Sequence, residues 1–430
     1  MAGLKGNCVV AQSGGPTTVI NASACGVIQE AARHEGVFTG ILGSHNGILG
    51  VLHEDLFDLT RESSRTIDDL RRTPASALGS CRYKLKDLDA DRADYERILE
   101  VFRAHDIRFF FYIGGNDSMD TADKVSKLAA DSGYAMAAVG VPKTIDNDLA
   151  ETDHCPGYGS VAKYLGAAVM EAGRDTEAMY TTDSCAVLET MGRHAGWIAA
   201  ATGVAQRTPE DAPHLVYVPE IAFSIEGFVA DVKACLDRVG RCVVAASEGL
   251  VNDQGAYIAT EAGSFSTDSF GHTQMGGVGE LLKNVVEADV GVKCRYNKLG
   301  TCQRTAMHFA SRTDVDEAYL AGQAAVRAAV DGVTDKMVTL LREGDGPANY
   351  ACRTGLADLR AVANGEKLLP RSFMNEAGNH ITDAMRDYVV PLMRGQADLR
   401  VGEDGLPVFA RLARRAVKQK TGRSYSITQP

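Results

Sequence analysis

The 430-residue sequence has no apolar stretch long enough to span a bilayer. Its N-terminus, MAGLKGNCVVAQSGG, lacks the apolar core and cleavage-like site of a secretory leader, so no export signal is expected. Ten cysteines are present, but none forms a C-x-x-C pair and no histidine spacing matches them, which excludes the common zinc-binding patterns. They read instead as a reduced, cytoplasmic set of buried thiols. Positive charge is not in excess: 45 Lys and Arg against 56 Asp and Glu give a formal net charge of −11, which argues against a nucleic-acid partner. A small anion held by a local basic cluster remains compatible with that balance. Proline is modest at 12 residues, and the 44 glycines follow no short period, so collagen-like and disordered readings fall away.

What is present is a 45% hydrophobic chain, long enough for two or three globular units. Short apolar runs end in polar or Gly-containing turns: 7–15, 108–117, 135–148, 185–193, 214–220 and 241–249. Helical patterns lie between many of them, as in 19–36, 95–106 and 225–240. Strands alternating with helices indicate an α/β fold with largely parallel sheets, whose ligands gather at the carboxyl ends of strands. A Gly-start helical stretch at 156–179 marks the crossover into a second unit, and the chain returns to the first at about 305. The basic stretch RLARRAVKQKTGRS (411–424) reads as a solvated helix or tail.

Several turns carry chemistry. QSGGP (12–16) and RFFFYIGGND (108–117) place Gly14, Gly15 and Gly115 where backbone N–H groups suit a phosphate, although Asp117 adds a negative charge there. GSCRYKL (79–85) supplies Arg82 after a Gly-Ser turn. In VPKTIDNDL (141–149), an extended chain would turn Thr144, Asp146 and Asp148 to one face and Lys143 and Asn147 elsewhere. Two carboxylates and a hydroxyl together suit metal binding or general-base work. ETMGRHAGW (189–197), SEG (247–249) and CRYNKLGTCQR (294–304) contribute Arg193, Glu248, Arg295 and Arg304, side chains suited to phosphate and sugar hydroxyls. Taken singly, each segment also reads as an ordinary turn or surface ion pair. Together they favour transfer of a phosphate ester.

The ordered motifs QSGGP, GSCR, GGND, PKTIDND, ETMGR, SEG and R…LGxxQR resemble the phosphofructokinase family, specifically its pyrophosphate-dependent branch, over roughly residues 5 to 330. The resemblance implies two Rossmann-like three-layer α/β/α units facing across a cleft. Residues 1–157 would form the pyrophosphate unit, with the chain returning at about 305–400. Residues 158–304 would form the fructose 6-phosphate unit, and 401–430 a C-terminal tail. It further implies Asp146 as general base toward the C1 hydroxyl, with Thr144 holding the substrate and Asp148 orienting the site. Arg193 would stabilise the transferring phosphoryl group. Met191, Gly192, Glu248 and Arg304 would line the sugar-phosphate site, with Arg295 reaching the 6-phosphate of a neighbouring subunit in a homodimer or homotetramer. Gly14, Gly15, Arg82, Gly115, Asp117 and Lys143 would meet pyrophosphate, and Mg²⁺ is the implied cofactor.

Two charged positions select the donor within this resemblance. ATP-using relatives typically carry Gly where this chain has Asp117, and often Gly where it has Lys143. An Asp at that place puts volume and like charge where a nucleotide would extend. Like charges 4 Å apart repel by about 4 kcal/mol at an effective dielectric of about 20. Lys143 is expected to balance Asp117. Three positions depart from the family's pattern: Asn116 stands where an Asp commonly ligates the metal, Thr301 where His or Tyr meets the sugar, and Ser184 where ATP-dependent bacterial relatives have a second intersubunit Arg. The rival readings are an ATP-dependent phosphofructokinase and a non-catalytic sugar-phosphate sensor.

Overall fold

The computed structural model describes residues 3–87, 92–259, 266–267, 273–274, 277–344 and 346–427. The first half of the chain supplies β1 (Gly6–Gln12), β2 (Phe38–Ser44), β3 (Leu56–Asp58), β4 (Ile107–Gly114) and β5 (Ala137–Pro142). The rest supplies β6 (Cys185–Thr190), β7 (Leu215–Tyr217), β8 (Cys242–Ser247), the short ladder of β9 (Ser266–Thr267) and β10 (Thr273–Gln274), β11 (Cys294–Lys298), β12 (Lys336–Glu343) and β13 (Ala351–Asp358).

Two larger sheets result. One has seven strands in the order β13-β12-β5-β4-β1-β2-β3, and the other has four in the order β11-β6-β8-β7. The four-stranded sheet is parallel throughout, while β3 and β13 join the larger sheet antiparallel at its two edges. Helices cover both faces of the larger sheet, which is why β4 reads as an unbroken apolar run rather than an alternating one. Its Phe110 and Tyr112 pack with Phe102, Met119 and Val125 on one face. Phe109, Phe111 and Ile113 pack with Ile20, Val27 and Ala325 on the other. Each fully buried Phe contributes about 2–3 kcal/mol of transfer free energy.

The chain after 305 departs from the sequence expectation. It returns to the larger sheet through helix Arg312–Val330, β12 and β13, but does not stay there to residue 400. Met374, Met385, Val389 and Leu392 pack against Trp197 and Ile198 in the core beside the second sheet. The last segment is neither a helix nor a free tail. It runs extended along the edge strand: Val417 N–H donates to Leu56 O at 2.8 Å and Asp58 N–H to Arg415 O at 3.0 Å. A basic composition hid this because backbone groups make the attachment, satisfying the edge that β3 would otherwise expose. All ten cysteines are free thiols, eight of them buried, with Cys302 exposed and Cys352 between. Among the described residues no helix is long and apolar enough to cross a membrane.

Candidate active site

The ends of β1, β4 and β5 meet at one point. Gly14 N–H donates to Cys81 O at 3.0 Å, and Ser80 Oγ donates to Gly14 O at 2.6 Å, joining the QSGG turn to the loop carrying Arg82. Gly14 has φ +77°, a left-handed conformation that disfavours any side chain, and a Cβ there would stand 3.2 Å from Lys143 Nζ. Gln12 Nε2 donates to Asn21 Oδ1 at 3.0 Å while its Oε1 accepts Leu78 N–H at 3.0 Å, fixing β1, the following helix and the Arg82 loop together. After β4, Gly115 precedes helix Asn116–Asp131, whose first turn carries Asp117. A carboxylate there is favoured by the partial positive charge of the helix N-terminus, so this acid is locally stabilising.

Beyond β5 the chain does not remain extended. Asn147 adopts φ +57°, with Cys155 N–H donating to its Oδ1 at 2.9 Å and its Nδ2 donating to Tyr388 Oη at 2.9 Å. Thr144 Oγ1 accepts Asp146 N–H at 3.1 Å, turning the chain at that residue. Asn147 therefore points away as the alternation predicts, but Lys143 does not. Its buried ammonium donates to Gly15 O at 2.7 Å and lies with Asp146 in the site.

Two adjoining cavities open here, of about 270 Å³ and about 280 Å³. Gly15, Arg82, Lys143, Thr144 and Asp146 line both. The first adds Pro16, Ile145, Met191, Gly192, Arg193, His194, Glu248 and Arg304. The second adds Ser13, Gly14, Gly115, Asn116, Asp117, Ser118 and Asp148. From the second sheet, Met191 N–H donates to Gln303 Oε1 at 2.9 Å and Ser247 Oγ to Gly192 O at 2.5 Å, which aligns the ends of β6 and β8 with the segment bearing Arg304.

Charge in the site is unbalanced in both signs. Burial, then the charges of Asp148 and Glu248, push Asp146 up to about 7. Burial raises Asp148 as well. Burial lowers Lys143 to about 8, against the pull of Asp146 and Asp148 and with repulsion from Arg304 and Arg82. Arg304 is lowered by burial and then by Arg82, and its buried Nε has no hydrogen-bond partner among the described residues. Three cations that repel one another, with a donor left unpaired, make a receptor for an anion.

Two sequence candidates lie outside both cavities. Arg295 on β11 is held by Asp183, with its Nε 2.8 Å from Oδ2. Thr301 is exposed, and its carbonyl accepts the Thr305 hydroxyl at 3.1 Å. The partner of Asp117 is also not the expected one. Lys84 Nζ stands 3.1 Å from its Oδ1, while Lys143 is engaged at Gly15. Sequence reasoning did not single out Ser13, Pro16, Ser118, Ile145, His194 or Lys84. His194 and Lys84 adjoin Arg193 and Arg82, so position beside a chosen motif residue was the available signal.

A divalent cation fits the second cavity's chemistry. Asn116 Nδ2 donates to Gly365 O at 2.7 Å, which leaves its amide oxygen as the ligand atom. Asp146 and Asp148 add partly buried carboxylates whose ionisation a cation would favour. Among the described residues, the trio His154, Glu317 and Cys352 also brings ligand-type atoms within 4.8 Å. That trio lies elsewhere. Asp153 and Glu317 take both His154 nitrogens, at 2.8 and 2.6 Å, so it forms a closed ionic network.

The comparisons with known proteins agree with this geometry. A family model described as phosphofructokinase matches residues 7–329, a span containing every cavity residue. The chain is 48% identical over 415 residues to pyrophosphate–fructose 6-phosphate 1-phosphotransferase of Halomonas elongata, covering 96% of this chain and 98% of the relative. It is 49% identical over 417 residues to the protein of that name from Xanthomonas campestris, covering 97% and 98%. The crystal structure of a pyrophosphate-dependent phosphofructokinase from Marinobacter aquaeolei superposes with a TM-score of 0.88 at 43% identity, covering 98% of this chain and 100% of that one. Another, from Nitrosospira multiformis, gives 0.86 at 44% identity, covering 96% and 98%. With the family model matched over residues 7–329 and relatives 48–49% identical over nearly the whole length, this chain belongs to the phosphofructokinase family.

Proposed function

We propose that the protein reversibly transfers a phosphoryl group from pyrophosphate to the C1 hydroxyl of fructose 6-phosphate, giving fructose 1,6-bisphosphate and phosphate. The observation that carries this reading is that Asp146, Lys143 and Arg82 line both cavities, so one base and two cations serve two substrates. Fructose 6-phosphate would occupy the cavity of Met191, Gly192, Glu248 and Arg304. Pyrophosphate would occupy the cavity of Gly14, Gly115 and Asp117, with Arg82 between.

In this arrangement Asp146 accepts the C1 hydroxyl proton as the oxygen attacks the near phosphorus. Thr144, 3.4 Å from Asp146 through its hydroxyl, holds that carboxylate, and Asp148 keeps its basicity high. Lys143, Arg82 and Arg193 stabilise charge on the transferring group, which needs alignment and electrostatics more than covalent help. Asn116 and Asp148 would hold Mg²⁺, whose charge would neutralise donor oxygens. Magnesium is commonly bound by one or two protein ligands plus phosphate oxygens and water, so an incomplete protein shell suits it.

Arg295, with a half-exposed side chain held by Asp183 outside this chain's own cleft, is proposed to serve a second copy's 6-phosphate, in a homodimer or homotetramer. Ten unpaired thiols support a cytoplasmic location.

The test is purified protein given fructose 6-phosphate with either pyrophosphate or ATP, with Mg²⁺ present. Turnover with pyrophosphate is expected; turnover with ATP alone would overturn the donor assignment.

A further inference from the structure

A buried carboxylate outside both cavities joins the C-terminal segment to the loop that carries Arg82. Asp94, in the first turn of helix Ala93–Ala104, accepts the Tyr83 hydroxyl on Oδ2 at 2.5 Å and the Tyr425 hydroxyl on Oδ1 at 2.5 Å. Tyr83 stands between Arg82 and Lys84, the partner of Asp117.

The segment that delivers Tyr425 is itself firmly held. Glu54, whose side chain is wholly buried, accepts Lys420 N–H at 2.5 Å and the Thr421 hydroxyl at 2.5 Å. Arg97 donates to Thr421 Oγ1 at 2.8 Å and to Arg423 O at 3.3 Å, and its guanidinium lies 5.8 Å from the Tyr425 ring centroid. Val417, Tyr425 and Ile427 pack against the core cluster that includes Tyr83 and Tyr95. An extended segment without regular structure needs such anchors to hold a hydroxyl in place. Here they end on the neighbour of a cavity arginine.

We propose that the C-terminal segment is a strap that positions the donor site. Tyr425 is a positioning residue acting through Asp94 and Tyr83 on the Arg82–Lys84 loop, which presents Arg82 to a phosphoanhydride donor and Lys84 to Asp117. The inference rests on the reading that Arg82 meets the donor's phosphates.

The experiment compares the full-length protein with Tyr425→Phe, Tyr83→Phe and the double variant, each losing only hydroxyls. Losing one hydrogen bond to a charged group should raise KM for pyrophosphate about fivefold, leaving kcat and KM for fructose 6-phosphate unchanged. Once Tyr83→Phe has cut the link, Tyr425→Phe should add little, so the effects will not sum. Amide exchange across residues 79–86 should quicken in Tyr425→Phe. Unchanged exchange and unchanged KM for pyrophosphate in that variant overturn the strap. So does an equal rise in both KM values together with a fall in Tm, the mark of a merely structural clip. Wild-type failure to use pyrophosphate would sink the donor reading separately, and the exchange measurement then decides the strap by itself.

Discussion

The ammonium of Lys143 donates to the carbonyl of Gly15 across 2.7 Å, binding the end of β5 to the turn after β1. This one contact places a buried cation between the two cavities. Burial, not this contact, lowers the residue to about 8, and burial also raises Asp146 beside it to about 7. Burial disfavours both charged forms, and each charge supports the other.

The pH profile should follow from that pair. Asp146 accepts a proton only when ionised, so kcat/KM should rise with pH through about 7. Lys143 stabilises phosphoryl charge only as a cation, so the profile should fall above about 8. Lys143→Arg should move the alkaline limb upward if it keeps activity; a limb that stays in place would remove Lys143 from the profile. Initial rates across pH 5.5–10, on the order of ten points, resolve both limbs.

Asp146→Asn should separate catalysis from stability. Turnover should fall by about 10²–10⁴, the usual scale of a general base. Because the folded pKa of Asp146 is raised, the native state holds the extra proton between the ordinary value of 3.8 and about 7. Stability therefore declines as pH rises through that window, and the amide should relieve it. The cleft admits solvent, so the expected gain at pH 8 is only about 1 kcal/mol, read as a higher Tm.

Asp117→Gly should weaken pyrophosphate use and admit ATP. The variant also strips Lys84 of its partner and leaves a freed cation at the donor mouth. Binding of ATP should improve by about tenfold or more, well within the roughly 4 kcal/mol of a close like-charge contact. Titration with ATP checks this, and an affinity equal to the parent's would refute the exclusion.

Gly15→Ala should displace Arg304. A Cβ at Gly15 would lie 2.9 Å from Arg304 Nη1, and the flexible end of that side chain must yield. KM for fructose 6-phosphate should rise several-fold, about 1 kcal/mol for a displaced charged donor, with Tm nearly unchanged.

Acid should release the C-terminal anchor. Burial works against ionised Glu54, yet the Lys420 amide, the Thr421 hydroxyl and His105 hold it down at about 2. Its contribution is present above the ordinary value of 4.5 and is lost as pH falls toward about 2. Glu54→Gln should flatten that part of the acid unfolding curve, followed by circular dichroism.

Local patterns in the sequence determined which segments became strands and which turns carried Gly14, Gly115, Asp146 and Glu248. Apolar β-branched runs and glycine turns act through neighbours only a few residues away, so those features are legible without a structure. The sequence also held the motif order that places the chain in its family. Pairings made across long separations were decided by the tertiary structure. Lys143 turns into the site, where Gly15 offers its ammonium a carbonyl, which strict alternation does not foresee. Asp117 pairs with Lys84 because two loops meet. The segment at 369–392 crosses to the second sheet because its apolar side chains find Trp197 there. The tail's attachment is the clearest case: its basic side chains suggest solvent, but its backbone, Thr421 and Tyr425 bind an edge strand and two buried carboxylates. Side-chain composition cannot report hydrogen bonds that the main chain makes with partners 300 or more residues away, such as those 366 residues apart between Lys420 and Glu54.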